Sequence, residues 1–328
     1  METKRRRKPF WMVLLQIFVW LIAILLLAAA AFYVIPLTEH ADAAAVEGSE
    51  SWMAGLSDDL KLSEITIPGT HDSATKHVQL AFFSKCQSKT IGEQLQSGYR
   101  YLDIRLGADG DRLKLMHGFT NCKTGALPWS ETLYLEDVLA DCYAFLDANP
   151  SETVLFAVKQ EHGDESIAEF ESLLKAYIDR NPDYWLLPDH VPTLGESRGK
   201  VVLLRRWEGS IGVPLLWEDQ GGHDDVSLNT VSAEQGTYTL WVQDRFCYGA
   251  EDKWTAFENG IAGSETSANS AAIQFLSTKG TLAYGHPYAF AKKLDPWLMK
   301  MVLPADAGWI VVDFASAPLA EHIYSTNF

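Results

Sequence analysis

The sequence predicts an α/β protein of the (β/α)8 TIM-barrel type, incomplete or distorted, preceded by one N-terminal membrane-crossing helix. Three observations carry this expectation: eight short apolar runs of strand character, helical stretches between several of them, and one long uncharged run at the N-terminus. The eight runs are 63–68, 99–106, 112–117, 153–160, 200–206, 238–243, 271–276 and 308–314. They are rich in Val, Ile, Leu and aromatics, as strands covered on both faces of a parallel sheet are. "SETLYLEDVLADCYAFLDANP" (130–150) and "ESIAEFESLLKAYIDRNP" (165–182) repeat apolar residues at helical spacing and stop at Asn-Pro, and 288–303 reads as a helix broken before Pro296. Only a short turn separates the second and third runs, so one crossover helix is missing there. A barrel typically takes about 250 residues, which the region 61–328 supplies. An open doubly wound sheet is the alternative, and the lack of G-x-G-x-x-G after the first run weakens its dinucleotide-binding version.

The order of segments follows from charge and hydropathy. Residues 1–9 form a basic tail containing "KRRRK". Residues 10–37 carry no charge and a single strongly polar residue, Gln16. A bilayer core needs about 20 apolar residues in a helix, so this run is long enough to span, with its basic flank kept in the cytoplasm. "ADAAA" (41–45) offers small residues for a signal-peptide cleavage, so an anchored and a cleaved, secreted form both stay open, and both put the rest outside the cytoplasm. Residues 38–60 are small, acidic and weakly patterned and read as a linker.

The net charge is −16, and residues 1–45 hold five Lys/Arg against three Asp/Glu, which leaves −18 for residues 46–328. Such a surface argues against nucleic acid as a partner, because phosphate backbones need a basic footprint. The four cysteines, Cys86, Cys122, Cys142 and Cys247, form no C-x-x-C pair, so zinc and thioredoxin-type chemistry are not signalled. A Cys86–Cys122 bridge and buried free thiols are both compatible with an extracellular site.

Seven of the eight runs deliver ionisable residues at their C-terminal ends: His71 and Asp72, Asp103 and Arg105, His117, Lys159 and Glu161, Arg205 and Arg206, Asp244, and Asp313. In a TIM barrel that end of the strands builds the active site. A single histidine or a capping aspartate there would mean little. Their convergence is harder to explain by folding, since buried charge costs several kcal/mol unless paired or used. G-x-S-x-G and H-E-x-x-H are both missing, which removes the signals for a serine nucleophile and a zinc protease. Two histidines suit a general base and a general acid near neutral pH, and Arg and Lys suit a phosphate gaining charge. Together these groups point to phosphodiester cleavage with a neighbouring hydroxyl as nucleophile.

"IPGTHDS", "SGYRYLDIRL", "LMHG", "GKVVLLRRW", "LWVQDRF" and "GWIVVDF", in that order from about residue 60 to 316, resemble the bacterial phosphatidylinositol-specific phospholipase C family with its X-domain barrel. The resemblance implies cleavage of phosphatidylinositol to diacylglycerol and inositol 1,2-cyclic phosphate. It implies His71 as general base with Asp313 holding its ring, and His117 as general acid assisted by Asp72. Arg105, fixed by Asp103, would neutralise the phosphate, while Lys159, Arg205 and Asp244 would read the inositol hydroxyls and Tyr248 or Phe246 would stack under the ring. With an arginine facing the phosphate no metal or other cofactor is expected; calcium held by Asp72, Asp103 and Glu161 is the alternative. The expected partner is a phospholipid in a membrane, reached from the N-terminal helix, and no protein partner is inferred. Alternatives are a silent barrel that binds an inositol or sugar headgroup, and a phosphodiesterase for another phospholipid or a glycerophosphodiester. The aromatics Phe82, Phe83, Trp129 and Trp217 read either as core or as bilayer contacts near the rim.

Overall fold

A computed structural model describes residues 8–221, 231–280 and 285–328, so most of the basic tail lies outside the described residues. The strands are β1 (Ile67–Thr70), β2 (Tyr101–Asp109), β3 (Arg112–His117), β4 (Thr120–Asn121), β5 (Val154–Gln160), β6 (Trp185–Leu186), β7 (Val201–Arg205), β8 (Val213–Pro214), β9 (Val231–Glu234), β10 (Thr239–Gln243), β11 (Ser270–Phe275) and β12 (Trp309–Val312). The helices are α1 (Phe10–Val34), α2 (Ala81–Ser84), α3 (Ile91–Gln96), α4 (Leu135–Ala148), α5 (Ile167–Ile178), α6 (Leu194–Ser197), α7 (Ala250–Gly263), α8 (Pro287–Leu298) and α9 (Ala317–Tyr324).

The strands form one sheet in the order β6-β7-β5-β2-β1-β12-β11-β10-β9, with β8 also on β7. β1, β2, β5, β7, β10, β11 and β12 run parallel, and no ladder joins β8 to β9 or β10 among the described residues. The barrel is therefore incomplete, as the sequence predicts. The run 112–117 is not a stave: it returns antiparallel on β2, from Asp109↔Arg112 to Leu106↔Leu115, because a two-residue turn permits a hairpin and no parallel crossover. Gly69 lies inside β1 in register with Tyr101 of β2, and a Cβ there would lie 2.9 Å from the Tyr101 side chain. Only glycine lets the two strands approach so closely.

Side-chain alternation divides the core in two. Tyr101, Leu155, Ala157, Val202, Leu204, Leu240 and Val242 belong to a cluster that fills the barrel and continues under α7–α9. Leu102, Ile104, Leu106, Phe156, Val158, Val201 and Leu203 belong to a second cluster under α3–α5. The alternation sets which residues at the strand ends face the barrel mouth.

Two further expectations change, and one left open is resolved. Ser49–Gly55, within the stretch read as linker, is a 3-10 helix whose Trp52 and Met53 are buried against the barrel. The buried Arg100–Glu152 pair holds it: Arg100 donates to the Ser49 and Glu50 carbonyls, and Met53 N–H donates to Glu152. The helix 287–298 runs through Pro296 and stops at Leu298, because Leu294 and Leu298 are buried in the core and the missing N–H falls in the last turn. All four cysteines are buried free thiols, so Cys86 and Cys122 are not bridged. α1 is 25 residues of apolar sequence with none buried, long enough to cross a membrane.

Candidate active site

The site forms where β1, β2, β3, β5, β7, β10 and β12 end. His71 follows β1, and its Nδ1–H donates to Asp313, 2.9 Å away, which follows β12 beside it. Two backbone conformations aim this pair: Asp72 sits at φ 43° and Phe314, next to Asp313, at φ 50°. Non-glycine residues adopt such angles only where the surroundings hold them. Thr75 donates to the Asp72 carbonyl through N–H and Oγ1, Asp72 N–H donates to Asp103 Oδ2, and Phe314 N–H donates to the Cys86 carbonyl.

Asp72 lies under both imidazoles. Its Oδ2 is 3.3 Å from His71 Nε2 and 3.1 Å from His117 Nδ1, and the two rings are 6.2 Å apart. His117 reaches the mouth from the tip of the β3 hairpin, with Cys86 Sγ 3.7 Å from its Nδ1. Arg105 joins three carboxylates: its Nε is 3.2 Å from Asp72, its NH2 3.0 Å from Asp103 and its NH1 3.3 Å from Glu161. Glu161 also takes Lys159 at 2.6 Å and the Gly118 N–H at 3.0 Å, which ties the hairpin tip to β5.

The electrostatics follow from this packing. Burial would lower His71, but Asp313 and Asp72 override it and its ring binds a proton more tightly than an ordinary histidine. Burial lowers His117, and Asp72 does not make up the difference. Burial would raise Asp103 and Glu161; Arg105, with Arg206 on the first and Lys159 on the second, holds both well below the usual carboxylate range. Burial also opposes the charge on Arg105, but Asp103, Asp72 and Glu161 raise it well above an ordinary guanidinium. The Cys86 thiol is pushed up, first by burial and then by Asp313 and Asp72.

The cavity above these groups measures about 430 Å3. His71, Arg105, His117, Lys159, Asp244 and Asp313 line it, while Asp72 and Asp103 lie beneath, in contact with Arg105. Two expected residues are elsewhere. Arg205 lies on the opposite face of β7 and donates to the Ile211 and Trp207 carbonyls. Tyr248 is buried off the cavity, and its carbonyl accepts from Thr278; Phe246 lines the wall instead. Arg206 takes the place expected of Arg205: it pairs with Asp103 at 2.8 Å and lies 4.1 Å over the Trp217 ring, whose Nε1 donates to Asp244. Strand parity carried the signal, since Arg206 continues the inward series Val202, Leu204 and Arg205 the outward series Val201, Leu203. Trp217 is thus a wall of the cavity, while Trp129 is exposed and Phe82 and Phe83 pack on Phe32 of α1.

A parallel, open barrel with a polar, titratable mouth at the C-terminal ends of its strands is a TIM-barrel enzyme. Residues 59–207 match the family model described as phosphatidylinositol-specific phospholipase C, X domain. A 1-phosphatidylinositol phosphodiesterase of Staphylococcus aureus (strain Newman) is 30% identical over 299 residues, covering 84% of this chain and 91% of that one. Among solved structures, a mutant of the S. aureus phosphatidylinositol-specific phospholipase C superposes with TM-score 0.72 at 26% identity, over 85% of this chain and 98% of that one. The Listeria monocytogenes enzyme shares the fold, with TM-score 0.63 at 21% identity over 85% and 99% of the two chains. The chain belongs to the phosphatidylinositol-specific phospholipase C family and is an enzyme of that type.

Proposed function

We propose that the protein cleaves phosphatidylinositol, or a related inositol phospholipid, to diacylglycerol and inositol 1,2-cyclic phosphate. One observation carries the reading: two imidazoles 6.2 Å apart share one carboxylate, with the Arg105 guanidinium beside that same carboxylate. His71 Nε2 takes the proton of the inositol 2-hydroxyl while Asp313 holds its Nδ1–H. The hydroxyl oxygen bonds to phosphorus as the bond to the glycerol oxygen breaks, and His117 gives that leaving oxygen its proton. Arg105, pre-set by its carboxylates, meets the charge gathering on the non-bridging oxygens. Lys159, Arg206 and Asp244 offer donors and an acceptor to the ring hydroxyls, and Trp217 and Phe246 offer apolar faces.

The reaction proposed needs no metal. Calcium wants free carboxylates, and Asp72, Asp103 and Glu161 each contact Arg105. Donor atoms of His71, Asp72 and Cys86 lie within 4.8 Å of one another, but a buried thiol held protonated is a poor partner for a hard cation. We further propose that α1 stays in the membrane as a single-pass anchor with the barrel outside the cytoplasm.

The test uses the full chain in phosphatidylinositol vesicles, with and without chelator, following cyclic inositol phosphate by phosphorus NMR. Cyclic product should form equally in chelator. His71→Ala and His117→Ala should each lose about 10²–10⁴-fold, the range for general acid–base groups. A chain that binds the vesicles but yields no product would be a headgroup-binding module, and activity restored by calcium would overturn the metal-free reaction.

A further inference from the structure

The segment after α1 is built into the barrel rim. Pro36 and Glu39 are buried, and the buried Lys85 donates to the carbonyls of both, at 2.6 and 2.9 Å. A cation there also suits the C-terminal end of a long helix. His286, just before α8, pairs with Glu39 at 2.8 Å, bonds the Phe82 carbonyl through Nδ1 and stacks on the Phe82 ring at 4.2 Å. Further bonds join Ala41 N–H to Ser88, Tyr288 to the His40 carbonyl and Tyr33 to the Ala126 carbonyl. Burying Glu39 and Lys85 costs several kcal/mol unless they are paired, which a loose tether has no reason to do.

Between this joint and the barrel lies an apolar groove of about 740 Å3. Ala29, Phe32 and Leu37 line it from the anchor, and Leu80, Phe119 and Leu127 from the barrel. Phe83 lines both this groove and the catalytic cavity, so the two adjoin.

We propose that the anchor and the barrel together form a lipid-tail site: the groove receives the acyl chains and glycerol of the phospholipid whose headgroup occupies the catalytic cavity. The inference rests on the reaction proposed above. Three features select this occupant. One wall is the end of a helix whose other faces are unburied and apolar, so the groove opens at the bilayer surface. Its lining is mostly hydrocarbon, and it adjoins the catalytic cavity at Phe83. The Lys85–Glu39–His286 joint then fixes the distance between the membrane and the catalytic groups.

The experiment compares two substrates for the full chain in vesicles: long-chain phosphatidylinositol in the same bilayer, and a water-soluble inositol phosphodiester without acyl chains. Leu127→Asp and Phe119→Asp change residues 50% and 61% exposed, which spares the fold. Each should cleave bilayer substrate at least tenfold more slowly and the soluble substrate within twofold of wild type, with Leu127→Ile normal on both. Lys85→Met, at the joint, should show the same split. Wild-type rates on bilayer substrate in the Asp variants would overturn the proposal, and so would equal losses on both substrates. If the wild type cleaves neither substrate, the catalytic reading itself has failed, and the wild-type arm alone reveals it.

Discussion

At the scale of single residues, the two histidines carry opposite perturbations. His71 is raised by Asp313 and Asp72 against burial, and burial leaves His117 low. In the ligand-free site the first proton to bind therefore goes to His71. The proposed reaction needs the reverse arrangement, a neutral His71 and a protonated His117. A substrate phosphate beside His117 and Arg105 favours that exchange, since an anion raises a neighbouring imidazole. The pH profile of kcat/KM should then be a bell whose acidic limb follows His117, below the ordinary histidine value, and whose basic limb follows His71, above it. Asp313→Asn removes the larger of the two carboxylate contributions to His71. It should lower the basic limb and cut the rate by about 10² or more, with the acidic limb nearly unmoved. A downward shift of the acidic limb alone would mean that His71, and not His117, holds the lower pKa of the pair.

At the scale of elements, alternation along strands does most of the positioning. Asp103 and Arg105 share the inward face of β2 with Tyr101, and the register sets Arg105 beside Lys159. The same rule separates Arg206 from Arg205, and exchanging them tests it: Arg206→Met should raise KM about tenfold or more, since hydrogen bonds to charged groups contribute about 1.5–3 kcal/mol. Arg205→Met should leave KM within twofold and lower stability instead. The strands β2, β5, β7 and β10 were legible as apolar runs, and so were the ends of β1 and β12 that carry His71 and Asp313, but a run apolar on both faces does not show which residues point inward, which is why Arg205 was taken for Arg206. The missing crossover after β2 was legible too, but not that the third run folds back to hang His117 over the mouth. Tyr248 was misread because β10 ends at Gln243: parity still holds for Arg206, directly after β7, but fixes nothing five residues beyond a strand's last residue. The 3-10 helix at Ser49–Gly55 was hidden because its partners, Arg100 and Glu152, are distant in sequence. Their ion pair is fully buried, so Glu152→Gln should destabilise by about 3–5 kcal/mol, read by denaturant unfolding with m unchanged.

At the scale of the whole molecule, charge and the proposed anchoring oppose each other. Residues 46–328 carry −18, and the proposed substrate sits in an anionic layer of its own kind. A barrel cut free of residues 1–45 must approach that layer against long-range repulsion, whereas an anchored barrel is already there. Repulsion reaches about 30 Å in 0.01 M salt and about 10 Å in 0.1 M. Raising salt across that range should therefore speed cleavage of phosphatidylinositol vesicles severalfold for the free barrel, and by less than twofold for the full chain. Comparing each protein with itself removes the loss of the Pro36 and Glu39 contacts from the test. The local field argues the other way, since Lys76, Lys85 and Lys123 line the groove beside the catalytic cavity. If that patch dominated, salt would slow the free barrel instead. The net charge should win at a distance, because screening acts mostly on charges further apart than the Debye length, while the lysines act only after contact. A free barrel slowed by salt would show that local attraction governs its encounter with the membrane and that the anchor is not needed to overcome repulsion.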